Sequence, residues 1–320
     1  MKYFNKNWQK GVTLIELLIV VTLSSFVVIA IYELFITQER TYVVQDSVAE
    51  AQQNVRAGLN KMVNELRMAG YGVPNGTAII STAINGNPDS ITFNSNIGGA
   101  TFLTSDITTS GNQTINVIDS SDFDSGDNIN IFDYKNNLIA TATISSIPSN
   151  TQLNVTGLSF ESGYSSCPAG SQVQTGFTTI RYSVNNLTLR RNAEGGAQPL
   201  AENIEDLQLV YAYDNDGDSL LDTDASGNVI WAIDSNNDGN LDTQVFNNGT
   251  TGSLSPVVPF SDIRAIRVSI VARSQKKDPN WNGGQRISIE DHNPTTTQDD
   301  KRYRRRLLSS TIRIRNAGLF

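Results

Sequence analysis

The sequence predicts an α+β protein in which one long N-terminal α-helix, apolar all round in its first half, packs its second half on a β-rich globular head. Two observations predict this fold. Residues 12–70 show a continuous apolar run that becomes a one-sided stripe. Residues 75–320 show short β-branched and aromatic runs between turn residues, without a helix pattern of more than about three turns. At 320 residues the chain can bury a sizeable core.

The first half of the helix is long enough to cross a membrane. Residues 12–32, VTLIELLIVVTLSSFVVIAIY, contain a single charged residue, Glu16. At about 1.5 Å per residue this segment spans about 31 Å, the thickness of the hydrocarbon core. Lys2, Lys6 and Lys10 precede it without an acid, so we expect a cytoplasmic N-terminus and an exported head.

Gly11 and Glu16 flank the start of this segment. An ordinary signal peptide carries its small residues after the apolar run, whereas Gly11 comes before it. Cleavage after Gly11 would leave the helix on the mature protein and make Val12 a free α-amine. A carboxylate in an apolar span is costly unless it lies near the membrane surface, and it is therefore a functional hypothesis. We expect Glu16 to neutralise the Val12 amine, within one chain or between neighbours.

The motif KG-VTLIELLIVV resembles the class III signal of type IV prepilins and of type II secretion pseudopilins. The resemblance implies a type IV pilin-like fold, cleavage after Gly11 by a prepilin peptidase, N-methylation of Val12, and an assembly role for Glu16. The chain departs from the family in having Val12 where phenylalanine is commonest.

The second half of the helix carries an apolar stripe with steps of three and four residues. Its members are Val44, Val48, Ala51, Val55, Leu59, Met62, Val63, Leu66 and Ala69. The polar positions predicted to lie off the stripe are Gln45, Asn54, Lys61 and Glu65. We expect the stripe to pack on a β-sheet rather than form a free coiled coil, because sustained charged flanking positions are missing. Gly70 and Pro74 predict the end of the helix.

The head contains several predicted strands. They are 114–118, 128–132, 139–147, 152–155, 178–184, 187–191, 204–213, 263–273 and 307–315, whereas 75–112 shows only short apolar pieces such as 91–93. A small β-subdomain is expected at 113–157, a hairpin turn at Asn185-Asn186, and a weak helical turn at 200–206.

Three later passages resemble the PilW family of type IV minor pilins. They are LTLRRNAEGGAQPLAENIEDLQLVYAYDNDGD, DIRAIRVSIVARS and RRRLLSSTIRIRNAG, whereas residues 75–175 match only loosely. The resemblance implies that the helix backs a β-rich head. It also implies that the protein joins a complex of minor pilins that primes and caps the pilus.

Two aspartate-rich loops lie between residues 214 and 242, where eight acids occur without a base. Each loop places oxygen-bearing side chains at relative positions 1, 3, 5 and 9, the spacing with which EF-hand-like loops surround Ca²⁺. These residues are Asp214, Asp216, Asp218 and Asp222 in the first loop and Asp234, Asn236, Asp238 and Asp242 in the second. We therefore expect Ca²⁺ in one loop or both; the alternative is turns capped by Asp and Asn side chains.

The two loops differ from a complete EF-hand. Gly239 occupies position 6 of the second loop, but Ser219 occupies it in the first, where Gly217 comes two places early. Position 12 holds Ala225 and Val245 in place of the bidentate glutamate, so each site should be weak.

The charge distribution argues against a dedicated nucleic-acid binder. The net charge is −8, made of −16 over residues 1–263 and +8 over residues 264–320. Four arginines, Arg302, Arg304, Arg305 and Arg306, offer a surface for DNA or anionic lipid. We favour exposed edge charges, or pairs with the acidic body.

The chain has one histidine and one cysteine, which excludes an internal disulfide and a Cys/His zinc cluster. Asp291-His292 resembles half of a catalytic pair, but adjacent residues do not orient each other as a triad needs, so we expect a surface-loop histidine and no enzyme. Cys167 is either buried and inert or a link to another molecule.

The function expected from these features is that of a minor pilin, anchored in the inner membrane by residues 12–32 and then drawn into the filament by the same helix. Its expected partners are other minor pilins, the major pilin, the prepilin peptidase and a tip adhesin. Two alternatives remain open: a minor pseudopilin of a type II secretion system, and a pilus-tip module that binds DNA or a host surface.

Overall fold

The computed structural model describes residues 12–73, 77–83, 88–96, 98–193, 196–246, 249–278, 280–294, 297–298 and 300–314. The predicted leader 1–11 with Gly11, the helix-ending Pro74 and the end of the last predicted strand at Arg315 lie outside these residues. The chain divides into two compact units, Met1–Ala49 and Glu50–Phe320.

Helix α1 runs over Leu14–Arg67, as the apolar pattern predicted. In the first unit the helix has an 18-residue window with mean hydropathy 2.7, and none of that window is buried. Leu14, Val20 and Phe26 are each more than 60% exposed. By length and composition this segment can span a membrane, and burying it requires lipid or other chains.

In the second unit the apolar stripe is buried against a sheet, which confirms the predicted packing. The buried positions are Ala51, Val55, Leu59, Met62, Val63, Leu66 and Ala69. Gly58 lies in the same stripe and brings the helix close to the sheet, because a Cβ there would stand 2.9 Å from a methyl carbon of Leu189. Gly70 ends the helix with φ of +79°, a conformation that glycine adopts without strain.

Glu65 corrects the sequence prediction, since it is buried rather than turned away from the sheet. Its carboxylate accepts hydrogen bonds from the Tyr182 hydroxyl at 2.7 Å and from Arg191 Nε at 2.8 Å. Lys61, one turn earlier, reaches it at 2.8 Å from the solvent side. Burial by itself raises the pKa of Glu65, but the bonds from Arg191, Lys61 and Tyr182 outweigh it and lower that pKa.

The described residues of the head form three antiparallel sheets. The first has the order β1-β2-β9-β10-β11 and the second β15-β14-β13-β12-β16-β17. The strands of the first sheet are β1 Ile79–Ala83, β2 Ser90–Ser95, β9 Thr178–Asn185, β10 Thr188–Ala193 and β11 Gly196–Glu202. Those of the second are β12 Ile204–Tyr213, β13 Trp231–Ile233, β14 Asn240–Val245, β15 Thr251–Pro259, β16 Ile263–Arg273 and β17 Arg305–Arg313. Both sheets and the helix stripe share one hydrophobic core.

The third sheet, in the order β3-β8-β5-β6-β7-β4, has a separate core. Its strands are β3 Ala100–Phe102, β4 Gly111–Asn116, β5 Asn128–Phe132, β6 Leu138–Ser149, β7 Gln152–Phe160 and β8 Gln172–Thr175. It extends beyond the expected range 113–157 on both sides, because it also contains β3 before that range and β8 after it. Strand β8 pairs with both β3 and β5. Cys167 is fully buried in this core, where burial raises the pKa of its thiol to about 11.

Two local predictions are wrong. Residues 200–206 form no helical turn: β11 continues to Glu202 and β12 begins at Ile204, so the polar residues there pair in ladders. The hairpin turn between β9 and β10 lies one residue later than predicted, at Asn186-Leu187. Both residues have positive φ, as a two-residue hairpin loop requires. Among the described residues after the helix, only two 3₁₀ turns, Phe260–Asp262 and Asp300–Arg302, are helical.

Candidate functional site

Glu16 and Thr13 form a capping box at the start of α1. The Glu16 carboxylate accepts hydrogen bonds from the Thr13 backbone N–H and hydroxyl, both at 2.9 Å. The Glu16 N–H in turn donates to the Thr13 hydroxyl oxygen at 3.3 Å. Within one chain, therefore, Glu16 satisfies the donors of its own helix end. The T-x-x-E spacing of a capping box is visible in the sequence, but the charge of Glu16 by itself does not indicate it.

Val12 precedes this capping box and is 75% exposed. An amine created at Val12 would stand one residue before Thr13 and four before Glu16. Val12, where the resemblance places processing, and Glu16, where it places an assembly role, are therefore four residues apart at the start of the helix, while Gly11 lies outside the described residues.

The first aspartate loop follows β12 and folds around the buried Asp214. Its carboxylate accepts hydrogen bonds from the backbone N–H groups of Gly217 at 2.8 Å and Ser219 at 3.1 Å. Asp216 accepts from the N–H of Asp218 at 3.1 Å. Carboxylate oxygens of Asp214, Asp216 and Asp218 all lie within 4.8 Å of one another. The structure thus brings positions 1, 3 and 5 together.

The second aspartate loop follows β13 and has a similar hydrogen-bond pattern, except that its first acid accepts from positions 5 and 6 instead of 4 and 6. Asp234, also buried, accepts from the N–H groups of Asp238 at 3.2 Å and Gly239 at 3.0 Å. Asn236 accepts from the N–H of Asp238 at 2.9 Å. In both loops the acid at position 9 accepts from the N–H at position 2, as Asp242 does from Ser235 at 3.0 Å.

The backbone conformation explains how loops with different glycine positions adopt one shape. Positions 4 and 6 have positive φ in both loops: Gly217 and Ser219 at +77° and +68°, Asn237 and Gly239 at +59° and +89°. Each loop therefore has one glycine and one residue that tolerates this conformation less well. Gly217, which is two places early compared with an EF-hand, supplies the positive φ at position 4. Ser219 adopts the left-handed conformation at position 6.

Negative charge is concentrated in the first loop. Burial, followed by the charges of Asp216, Asp214 and Asp218, raises the pKa of Asp222, although the Asn215 N–H opposes this. Asp242 holds the same place in the second loop. Burial opposes its ionisation too, but bonds from Ser235 and Thr243 lower its pKa. The guanidinium of Arg264 stands 3.7 Å from Asp214 and offsets part of the negative charge.

The 3₁₀ turn Phe260–Asp262 connects the two loops through hydrogen bonds. The Asp214 N–H donates to the Asp262 carbonyl at 2.9 Å, and the Phe260 N–H donates to the Gly239 carbonyl at 3.3 Å. The turn between β15 and β16 is therefore hydrogen-bonded to both loops.

His292 lies in a loop, as the sequence predicted, but its side chain is half-buried and bonded to the sheet instead of lying at the surface. Its Nδ1 lies 2.6 Å from the buried Asp206 carboxylate on β12 and 3.3 Å from Gln208 Nε2. The neighbouring Glu290 forms a bidentate pair with Arg267 on β16. These contacts hold the loop after β16 against the sheet. Sequence spacing gave no sign of them, because residues 206 and 292 are far apart in the chain.

Asp89 lies beside β12, where its N–H donates to the Leu207 carbonyl at 2.7 Å, and it is almost fully buried. One carboxylate oxygen accepts from the Leu209 N–H at 2.8 Å, and the other has no hydrogen-bond partner among the described residues. Burial raises the pKa of Asp89 well above its usual value, and the charges of Asp291 and Asp206 add to this effect.

Asp89→Asn is therefore expected to stabilise the head. A folded-state pKa above the unfolded value means that wild-type stability falls as the pH rises above about 4. The amide keeps the acceptor for Leu209 without a charge, and we expect a gain of about 1–3 kcal/mol at pH 7 that shrinks towards pH 4. Urea unfolding of a soluble fragment beginning at Gln45 measures it, with exposed Asp122→Asn as the control. Equal or lower stability of Asp89→Asn at pH 7 would contradict the prediction.

The arginines near the C-terminus divide into two kinds. Arg305 is buried and paired with Glu205, and Arg304 contacts Asp278 at 2.9 Å while its guanidinium stacks 4.4 Å from the Trp281 ring. Arg302 and Arg306 are exposed. Two of the four charges are thus neutralised by acids of the head, as the favoured interpretation of this stretch expected.

Comparisons with known proteins match the N-terminal motif and the C-terminal part of the head. The family model described as type IV pilus-assembly protein W matches residues 172–316, and that of the prokaryotic N-terminal methylation motif matches residues 9–32. A solved structure of a type IV-like pilin from Thermus thermophilus is similar, with a TM-score of 0.38 and 10% identity over 83% of this chain and 97% of that chain. No curated protein matches the sequence.

Proposed function

Since the chain belongs to the family of type IV pilus-assembly protein W, we propose that it is a minor pilin that primes or caps the pilus through packing of its N-terminal helix. The observation that carries this proposal is the apolar half of α1, which is fully exposed along a membrane-length window. Lipid covers this surface before assembly, and helices of neighbouring pilins cover it afterwards.

The proposed location follows from the same segment. Residues 12–32 anchor the chain in the bacterial inner membrane, with the lysines on the cytoplasmic side and the head in the periplasm. The head of about 245 residues is bulky for a subunit repeated along a closely packed shaft. The size of the head supports a low-copy role at one end of the filament. The proposed partners there are other minor pilins and the major pilin.

Labelling of assembled pili tests this function. A small epitope tag after β17 is detected with gold by electron microscopy, and pili are counted in cells that lack the chain. We expect label at one end of the filament and few pili without the chain. Label at regular intervals along the shaft, with normal pilus number in the deletion strain, would contradict priming and capping.

Processing by a prepilin peptidase is the earliest step of this proposal. We expect a single cut after Gly11, so that the mature chain begins at N-methylated Val12. Intact-mass analysis of membrane-extracted protein should show the loss of residues 1–11 and the gain of one methyl group. Gly11→Leu should leave the precursor in the membrane, whereas Gly176→Ala, at an exposed position of the head with open space for a Cβ, should be processed normally. An uncut chain in cells with an active peptidase would refute the proposal.

Calcium binding is the second part of the proposal. The convergence of Asp214, Asp216 and Asp218 supports an ion in the first loop, because capped turns alone do not require three carboxylates to meet. The repeated backbone of the second loop supports the same role for Asp234, Asn236 and Asp238, with Asp222 and Asp242 at position 9. Calcium there would order the turn between β15 and β16 in the exported head.

A further inference from the structure

Two of the most exposed aromatic side chains of the head converge on one cavity in the second unit. Tyr134 is 77% exposed and Phe102 is 45% exposed. Both line a cavity of about 240 Å³ together with Tyr71. Large exposed aromatic rings on an exported surface are costly unless they contact something, and two rings at one concavity indicate a binding site rather than scattered surface residues.

Polar groups complete the wall of this cavity. Asp133 and Asn136 come from the hairpin turn between β5 and β6, and Gln172 from the start of β8. The Gln172 Nε2 donates to the Tyr71 hydroxyl at 2.7 Å, which leaves the hydroxyl hydrogen of Tyr71 free to donate to a ligand. Aromatic faces beside such donors and acceptors suit a ring that has apolar C–H faces and a polar hydroxyl rim.

The cavity is held in shape by its own hydrogen bonds. Asn136 Nδ2 donates to the Val73 carbonyl at 2.8 Å, which ties the hairpin turn to the segment after α1. The Asp133 carboxylate accepts from the backbone N–H groups of Lys135 and Asn137, both at 2.8 Å. Gly170, with φ of +87° and open space at its Cβ position, leaves one wall without a side chain. A preformed site loses less entropy on binding.

Charge selects the ligand class. Asp133 is the single charged residue among those lining the cavity in the described part of the chain, and it repels anions such as nucleic acid phosphates. A cationic ligand would compete with Lys135, whose ammonium already stands 5.6 Å from the centroid of the Tyr134 ring. We propose that this cavity binds a neutral sugar ring of a glycan, stacked on Tyr134 and Phe102 and hydrogen-bonded to Tyr71, Asp133 and Gln172.

Glycan binding by the full chain in detergent micelles tests the proposal. We expect binding to at least one member of an array of neutral oligosaccharides. In titrations with that member, Tyr134→Ala and Phe102→Ala should each lower the affinity at least about tenfold. Tyr164→Ala is the matched control, because Tyr164 is an exposed tyrosine outside the cavity and its loss should change nothing. Circular dichroism verifies that each variant is folded.

Three results would overturn the inference: no neutral oligosaccharide on the array binds, Tyr134→Ala binds as tightly as the native chain, or the control loses binding equally. A single-stranded oligonucleotide serves as a competitor. Displacement of the glycan by the oligonucleotide at lower concentration, abolished in Tyr134→Ala, would assign the cavity to nucleobases instead. Pilus number and label position do not depend on these results, so the proposed assembly function is tested separately.

Discussion

Glu16→Ala is expected to leave processing intact and to lower incorporation into pili at least about tenfold, since losing one partner of a buried charge pair leaves the other uncompensated. In the membrane the alanine variant inserts at least as well as the native chain, because a carboxylate is unfavourable in hydrocarbon. In the filament, the carboxylate is proposed to neutralise the α-amine of a neighbouring Val12. The measurement is the ratio of this chain in sheared pili to that in membranes, at native expression.

The capping box makes a sharper test possible. Thr13→Val removes the hydroxyl bond to Glu16 but keeps the carboxylate, so it should reduce incorporation much less than Glu16→Ala. Glu33→Ala, in the same helix beyond the apolar run, is the control for a lost acid. If Thr13→Val is as defective as Glu16→Ala, the carboxylate acts by capping its own helix and pairing between subunits is wrong. Normal incorporation of Glu16→Ala would exclude both roles.

Calcium is expected to raise the melting temperature of a soluble fragment that begins at Gln45 and so keeps the buried part of the stripe. The loops have no glutamate at position 12, so we expect dissociation constants of about 10⁻⁴–10⁻³ M. At a free concentration about 100 times the dissociation constant, one site adds about 2.7 kcal/mol of stability. Thermal melts over a calcium series, with magnesium in parallel, measure this gain.

Substitutions in the loops separate binding from simple turn capping. Asp216→Asn and Asp238→Asn should weaken the calcium response and, by relieving repulsion, stabilise the calcium-free head. Asp224→Asn is the matched control, because Asp224 caps a turn between the two loops through its bonds to Ser226 and Asn228 and is not a proposed ligand. If millimolar calcium produces no heat of binding and no melting shift, both loops are capped turns and the calcium prediction is wrong.

Local patterns in the sequence were sufficient where the structure depends on neighbours in the chain. The strands Ile204–Tyr213 and Ile263–Arg273 have the predicted bounds. The spacing of Asp214, Asp216 and Asp218 correctly indicated that their oxygens converge. In each case the hydrogen bonds or side-chain faces involved lie within a few residues, so periodicity and spacing contain the necessary information.

Long-range contacts were not accessible in the same way. Glu65 reads as a solvent-facing residue of the helix, yet it is buried because Tyr182 and Arg191, from strands more than 100 residues later, supply its donors. His292 likewise reads as a loop residue, and the buried Asp206 holds it. A buried charge is stable only with such partners, and their identity depends on which strands become neighbours.

By itself, the sequence determined the apolar half of α1, the stripe from Ala51 to Ala69 and the spacing of the aspartate loops, since each follows from composition and period along one segment. Only the tertiary structure decided that Glu65 is buried and that β8 joins the third sheet. The physical reason is common to both. Each outcome balances a local cost against partners supplied by distant segments, and a local pattern contains the cost but not the partner.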